Sequence, residues 1–288
     1  MKTGKWLTKN TTSLEGKKVV ISGSTGGIGR ELCMYFAGLG ASLVLLDRNM
    51  KKSSALADEI RTKYPKTSIE HLTADMSDIS SVKSAVNRLL EMDIDYVILN
   101  AGAYSIPRYT CDIGYDNVYT INFISPYYIA RTLLPSVSKR GGKIIAVGSI
   151  AHNYSKIDLA DIDFSTRKKA SLVYGNAKRY LTYSLLNLSE TNVAVAHPGI
   201  TFTGITSHYP KLIFALIKYP MKIIFIKPAK AALSIIKVVF AESKKNQWTG
   251  PRFFDIWGLP TTKKLNTANQ NEIADICFVA EKIYNEIK

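Results

Sequence analysis

The 288-residue chain has little cysteine, little histidine and no long uncharged apolar run. Its three cysteines, Cys33, Cys111 and Cys277, lie far apart and form no CxxC pair. That spacing argues against a disulfide framework or a zinc site and for a reducing compartment. No uncharged apolar stretch reaches the roughly 18 residues of a spanning helix, and residues 1–10 lack a leader pattern. The expectation is an intracellular, cytoplasmic protein. Acidic residues are scarce as well, 23 against 38 basic ones, for a net charge of +15. The lysines are scattered over nearly every segment, and no nucleic-acid module is recognisable. A solvated basic surface is therefore expected, with no nucleic-acid partner. With 46% hydrophobic residues, one large core and a single domain are expected.

What the chain does have is a glycine-rich stretch near its start, Val19-Val20-Ile21-Ser22-Gly23-Ser24-Thr25-Gly26-Gly27-Ile28-Gly29-Arg30. An apolar run opens it and a helical pattern follows. The reading is a buried strand ending at Ser22, a tight turn, and a helix starting near Gly27. Glycine permits the turn and a close ligand approach, and a helix N-terminus offers free N–H groups to a pyrophosphate. Gly23, Ser24, Thr25, Gly27, Ile28 and Gly29 are thus candidate dinucleotide contacts. Asp47 ends the next apolar run, placed to accept both hydroxyls of an adenosine ribose. Arg48 beside it suits either a 2′-phosphate or the adenine face. Asp75 and Met76 follow a third strand and would cover the adenine. Asn100-Ala101-Gly102 ends a fourth strand and would let the cofactor lie close.

Helical patterns over residues 51–63, 79–90, 112–137, 171–188, 229–240 and 273–287 alternate with apolar runs at 69–73, 96–99, 143–147 and 193–196. This alternation predicts a doubly wound, parallel α/β sheet. Residues 248–254 read as a turn into a final edge strand, and residues 1–15 as a flexible arm on which Trp6 could dock. Tyr174 and Lys178 are four apart on a helix, so phenol and ammonium share a face. A nearby ammonium lowers a phenol from its ordinary pKa of about 10. Ser149, at a strand end, could donate a second hydrogen bond to the same carbonyl oxygen. A mid-helix amide such as Asn122 is ordinarily solvent-facing, or bends the helix where buried.

Together these residues resemble the short-chain dehydrogenase/reductase family over nearly the whole chain, from about Gly16 to Trp257. Residues 22–29 match its TGxxxGIG turn, with Ser22 for the first Thr. Asn100-Ala101-Gly102 matches its NAG motif, with Leu99 where a second Asn is usual. Asn122, Ser149, Tyr174 and Lys178 match its catalytic four. Pro198, Gly199, Ile200 and Thr203 fall in its PGxxxT stretch, which holds the nicotinamide carboxamide. The resemblance implies a Rossmann fold and NAD(P)(H)-dependent interconversion of an alcohol and a ketone or aldehyde. Tyr174 would be the acid/base, Lys178 would also hold the nicotinamide ribose, and Asn122 would position a relaying water. The fold alone would also serve a non-catalytic dinucleotide sensor or scaffold, which has no need of all four catalytic side chains.

Between Ser149 and Tyr174 the chain resembles the retinol-dehydrogenase-like branch, which implies a lipophilic substrate. His152 in this insert is read as a surface-loop residue. Residues 205–227 are strongly apolar with interspersed lysines. They are expected to form a substrate lid, with peripheral membrane contact and a plain core helix as the other readings. A homo-oligomer is left open. Asp47 is short and fixed by its strand, whereas Arg48 can swing away, so NAD is expected over NADP.

Overall fold

The computed structural model describes residues 3–189, 191–201, 225–244 and 246–288. The expected lid, apart from its last three residues, and Thr203 lie outside them.

Six short apolar segments become parallel strands: β1 (Lys18–Ser22), β2 (Ser42–Asp47), β3 (Ile69–Thr73), β4 (Tyr96–Leu99), β5 (Lys143–Val147) and β6 (Val193–Ala196). Their residues alternate between two buried faces. Val20, Val44, Leu46, Val97, Ile144 and Val195 point into one apolar cluster. Ile21, Leu43, Leu45, Ile98, Ile145 and Ala196 point into the other. A strand buried on both faces reads as a continuous apolar run, and helices must cover each side. Here α2 (Gly27–Gly38), α3 (Met50–Lys63) and α8 (Pro228–Phe240) contribute to one side. The other side takes α4 (Ile79–Leu90), α6 (Ser125–Lys139), α7 (Ala170–Leu186) and α9 (Gln270–Ile287). The doubly wound fold predicted from the pattern is therefore the fold found.

With β7 (Gln247–Phe253) and β8 (Trp257–Lys264), strand order is β3-β2-β1-β4-β5-β6-β7-β8. It reverses between β1 and β4, paired through Val20↔Val97 and Ile21↔Ile98. Crevices at such switch points, beyond the carboxyl ends of the strands, are where open α/β sheets take ligands.

Three elements differ from the sequence reading. Residues Thr3–Asn10 form a helix, α1, where a loose arm was expected, and Trp6 is only 3% exposed. Burying one indole in the apolar cluster of α2 and α8 anchors it. The expected final edge strand is instead interior: β7 (Gln247–Phe253) pairs in parallel with β6 through Val195↔Trp248. It then turns into an antiparallel edge strand, β8 (Trp257–Lys264). The turn has Phe254 and Asp255 at φ 52° and 57°. Left-handed backbone without glycine gives no sequence signal. The helix expected from residue 112 begins later, with α5 (Asn117–Tyr119), a π-turn (Thr120–Ile124) and then α6.

Candidate active site

The glycine turn follows β1 and closes onto the end of β4. Gly23 has φ 64°, and a Cβ there would lie 2.9 Å from Ala101 Cα. At Gly29 a Cβ would meet the Gly23 carbonyl oxygen at 2.2 Å, so α2 packs directly against the turn. Asn100 donates through Nδ2 to the carbonyls of Ser22 (3.1 Å) and Gly23 (3.0 Å). The Ser22 hydroxyl oxygen accepts from the N–H groups of Asn100 and Ala101, both at 3.0 Å. Serine in place of threonine keeps this acceptor. Gly26 begins α2 with no side-chain cap, and Gly26 and Gly27 are exposed. First-turn N–H groups left without a side-chain partner form a cradle for an anion, and a dinucleotide pyrophosphate fits it.

Asp47 lies under the turn and is 4% exposed. Its Oδ2 accepts from the hydroxyls of Ser24 and Ser53, and Oδ1 has only longer contacts to Thr25, N–H at 3.4 Å and hydroxyl at 3.5 Å. The Arg48 side chain is 74% exposed and reaches Asp75 at 4.0 Å. Asp75 Oδ1 accepts from the Ser77 N–H (2.9 Å) and hydroxyl (2.7 Å), while Met76 is buried in the core.

On the other side of the crevice, Lys178 sits 3% exposed and donates from Nζ to the Val147 carbonyl at 2.9 Å. Its Nζ is 5.7 Å from the Tyr174 ring centroid. Burial pushes the Lys178 ammonium down to about 8. The Tyr174 phenol is pushed up to about 12, chiefly by burial, against the pull of a hydrogen bond with Ser149; Tyr104 and Tyr154 raise it further. The sequence reading has Lys178 lowering the phenol, whereas burial dominates. Tyr104 meets Tyr174 edge to face with centroids 5.3 Å apart. Ser149 begins a 3₁₀ turn (Ile150–Asn153), its Oγ accepting from the Ala151 N–H at 3.2 Å.

Asn122 is wholly buried in the π-turn. Its Nδ2 donates to the carbonyls of Val118 and Ala103, each at 2.8 Å, and Oδ1 accepts from the Ala103 N–H at 3.2 Å. Both amide hydrogens are thus engaged, and the side chain ties the loop after β4 to the π-turn. A Cβ on Gly102 would lie 2.8 Å from Asn122 Oδ1 and 3.7 Å from Lys178 Nζ, so the NAG loop, the amide and the ammonium converge. Pro198 and Gly199 end β6, with Gly199 at φ 85°, and Ile200 O accepts from the Ile226 N–H at 2.9 Å. The turn, the NAG loop, Ser149 and Pro198 follow β1, β4, β5 and β6 at the carboxyl edge of one sheet.

The short chain dehydrogenase family model matches residues 17–208. The chain belongs to the short-chain dehydrogenase family. Human retinol dehydrogenase 13 is 25% identical over 206 residues, 68% of this chain and 62% of that protein, in keeping with the retinol-dehydrogenase-like branch. A solved structure of an uncharacterized Mycobacterium paratuberculosis protein is 19% identical over 96% of both chains, with a TM-score of 0.73. A 7α-hydroxysteroid dehydrogenase solved with NADH and 7-oxo glycochenodeoxycholic acid is 21% identical, with a TM-score of 0.60 over 81% of this chain and 90% of its own.

Beside the family motifs, the chain carries a buried network that sequence reasoning missed. His152, expected on the surface, is 0% exposed. Its Nδ1 contacts the Ser149 carbonyl at 2.7 Å and Nε2 the Thr267 hydroxyl at 2.9 Å. Burial lowers its pKa, and the Arg179 charge adds to this against the Ser149 contact. Arg179, next to Lys178, donates to both Glu272 oxygens (2.6 and 2.7 Å), to His152 O (2.9 Å) and to Thr267 O (2.6 Å). Burial raises the Glu272 carboxyl, but the Arg179 bonds and charge outweigh it and hold the group below its ordinary value. Arg179 and Glu272 are 93 positions apart, so the pair forms no local motif and only the fold reveals it.

Glu272→Ala leaves the Arg179 guanidinium buried without its counter-ion. It is expected to cost about 3 kcal/mol and to lower the melting temperature by about 6–12 °C, read by calorimetry. The folded carboxyl lies below its unfolded value, so this contribution is present above the ordinary carboxylate range and is lost as pH falls through the folded value. An unchanged melting temperature at neutral pH would show that the clamp holds nothing.

Proposed function

We propose that the chain is an NAD(P)(H)-dependent oxidoreductase that interconverts an alcohol and a ketone or aldehyde on a lipophilic substrate. The observation that carries this is the meeting of two halves at one crevice: an uncapped glycine turn that fits a pyrophosphate, and Tyr174 with its ring 5.7 Å from the buried Lys178 ammonium. A bound dinucleotide would supply or accept the hydride. Tyr174 moves the proton at its phenolic oxygen, and Ser149 donates to the same substrate oxygen. Lys178 brings positive charge to the phenol ring, and Asn122 keeps the NAG loop in place through Ala103. The apolar composition of residues 205–227 supports a lipophilic substrate.

NAD is the proposed dinucleotide. Asp47 is pinned by Ser24 and Ser53, while its Oδ1 keeps acceptor capacity beside Thr25. A carboxylate fixed near the ribose repels a 2′-phosphate, and the exposed Arg48 is free to turn outward. Calorimetric titration with NADH and NADPH tests the binding half of the proposal. Binding of NADH in the micromolar range is expected, and no heat from either dinucleotide would refute it.

A further inference from the structure

We propose that Ser53 and His71 are positioning residues for the Asp47 carboxylate, and that His71 carries a hydrogen on Nδ1. The consequence for dinucleotide choice rests on the function proposed above; the hydrogen on His71 does not.

Ser53 lies on the inward face of α3 with Leu56, Ala57 and Ile60, a face otherwise apolar. It is 0% exposed, so its hydroxyl needs partners within the protein. It has two: Asp47 Oδ2 at 3.0 Å and His71 Nδ1 at 2.9 Å. A serine hydroxyl has one hydrogen to give. Asp47 takes donors from every side, the Ser24 hydroxyl, the Thr25 N–H and Ser53, as a carboxylate does. The Ser53 hydrogen therefore points to Asp47. Only lone pairs remain on Ser53 for His71, so the hydrogen in that contact comes from Nδ1.

The result is a chain of donors running from β3 through α3 to the end of β2. His71 is paired with Leu45 across the sheet, which sets its distance from Asp47. Oδ2 is held from the turn by Ser24 and from the helix by Ser53. With both in place the carboxylate cannot rotate, and Oδ1 stays on the Thr25 side. Without Ser53 it is held on one side only.

The 288-residue chain, labelled with nitrogen-15, has four histidines, few enough to assign. Long-range proton–nitrogen correlation is expected to show Nδ1 of His71 protonated, and this signature should disappear in Ser53→Ala. Titration with NADH and NADPH is expected to show the preference for NADH reduced by about 3- to 10-fold in Ser53→Ala, the worth of one hydrogen bond. His71→Phe, which removes the donor, should move the ratio the same way, and His71→Asn, which keeps one, should move it less. If Ser53→Ala does not fold, His71→Phe reads the same ratio. A neutral His71 protonated on Nε2 alone overturns the proposal. So does an unchanged ratio in a folded Ser53→Ala. If the wild-type chain binds neither dinucleotide, the proposed function falls, and the His71 signal alone decides whether the network exists.

Discussion

Tyr174→Phe is expected to lower turnover by about 100- to 10,000-fold while dinucleotide affinity stays near wild type, because only the transferable proton is removed. The ring remains, so its edge-to-face contact with Tyr104 and its place over Lys178 persist. The pH dependence follows from the two shifted groups. With the phenol pushed up to about 12, Tyr174 is protonated at neutral pH and ready to donate to a carbonyl. Carbonyl reduction is therefore expected to be level through neutral pH. Alcohol oxidation needs the phenolate and should climb with pH. Lys178, pushed down to about 8, loses its charge above that value, which makes the phenol a weaker acid still and blunts the climb. Near-normal turnover in Tyr174→Phe would remove the phenol from the mechanism.

The second large effect is expected at Asp47. Comparing kcat/KM for NAD and NADP, the wild-type chain should prefer NAD, and Asp47→Ala should shift the ratio toward NADP by about 100-fold. That factor corresponds to about 2.7 kcal/mol, within reach of two charges a few ångströms apart near a protein surface. Arg48 is left unopposed in the variant and can face a 2′-phosphate. A wild-type preference for NADP, barely changed by the substitution, would show that Arg48 governs the site and that Asp47 serves only to brace the turn.

The parallel strands and most helices were legible because each is a short apolar run or a clear 3.6-residue pattern between polar breaks. Ile79–Leu90, Tyr96–Leu99, Lys143–Val147 and Val193–Ala196 form over the residues that the pattern marks. The glycine turn was legible because close backbone approach leaves no alternative at Gly23 and Gly29. What sequence could not show is where polar groups go once buried. Asn122 looks like a surface amide until the π-turn takes it inside, and His152 looks like a loop residue until Thr267 and Trp248 enclose it. Ser53 is one polar residue within a helical pattern, yet it touches the Asp47 carboxylate under the turn. Such contacts depend on how the chain folds around these side chains, and local pattern carries no trace of them. The β7–β8 hairpin was missed for a different reason, since Phe254 and Asp255 take left-handed backbone that glycine or asparagine would have announced.

The proposed enzyme performs hydride and proton transfer, where a sensor would merely bind a dinucleotide. Oxidation of NADH by the wild-type chain, followed at the nicotinamide absorbance band against a panel of apolar ketones and aldehydes, tests it most directly. Loss of the band is expected with at least one carbonyl compound, matched mole for mole by the alcohol formed and slowed about 100-fold or more in Tyr174→Phe. Tight NADH binding with no oxidation across the panel, in either direction of the reaction, would contradict it and leave a dinucleotide sensor.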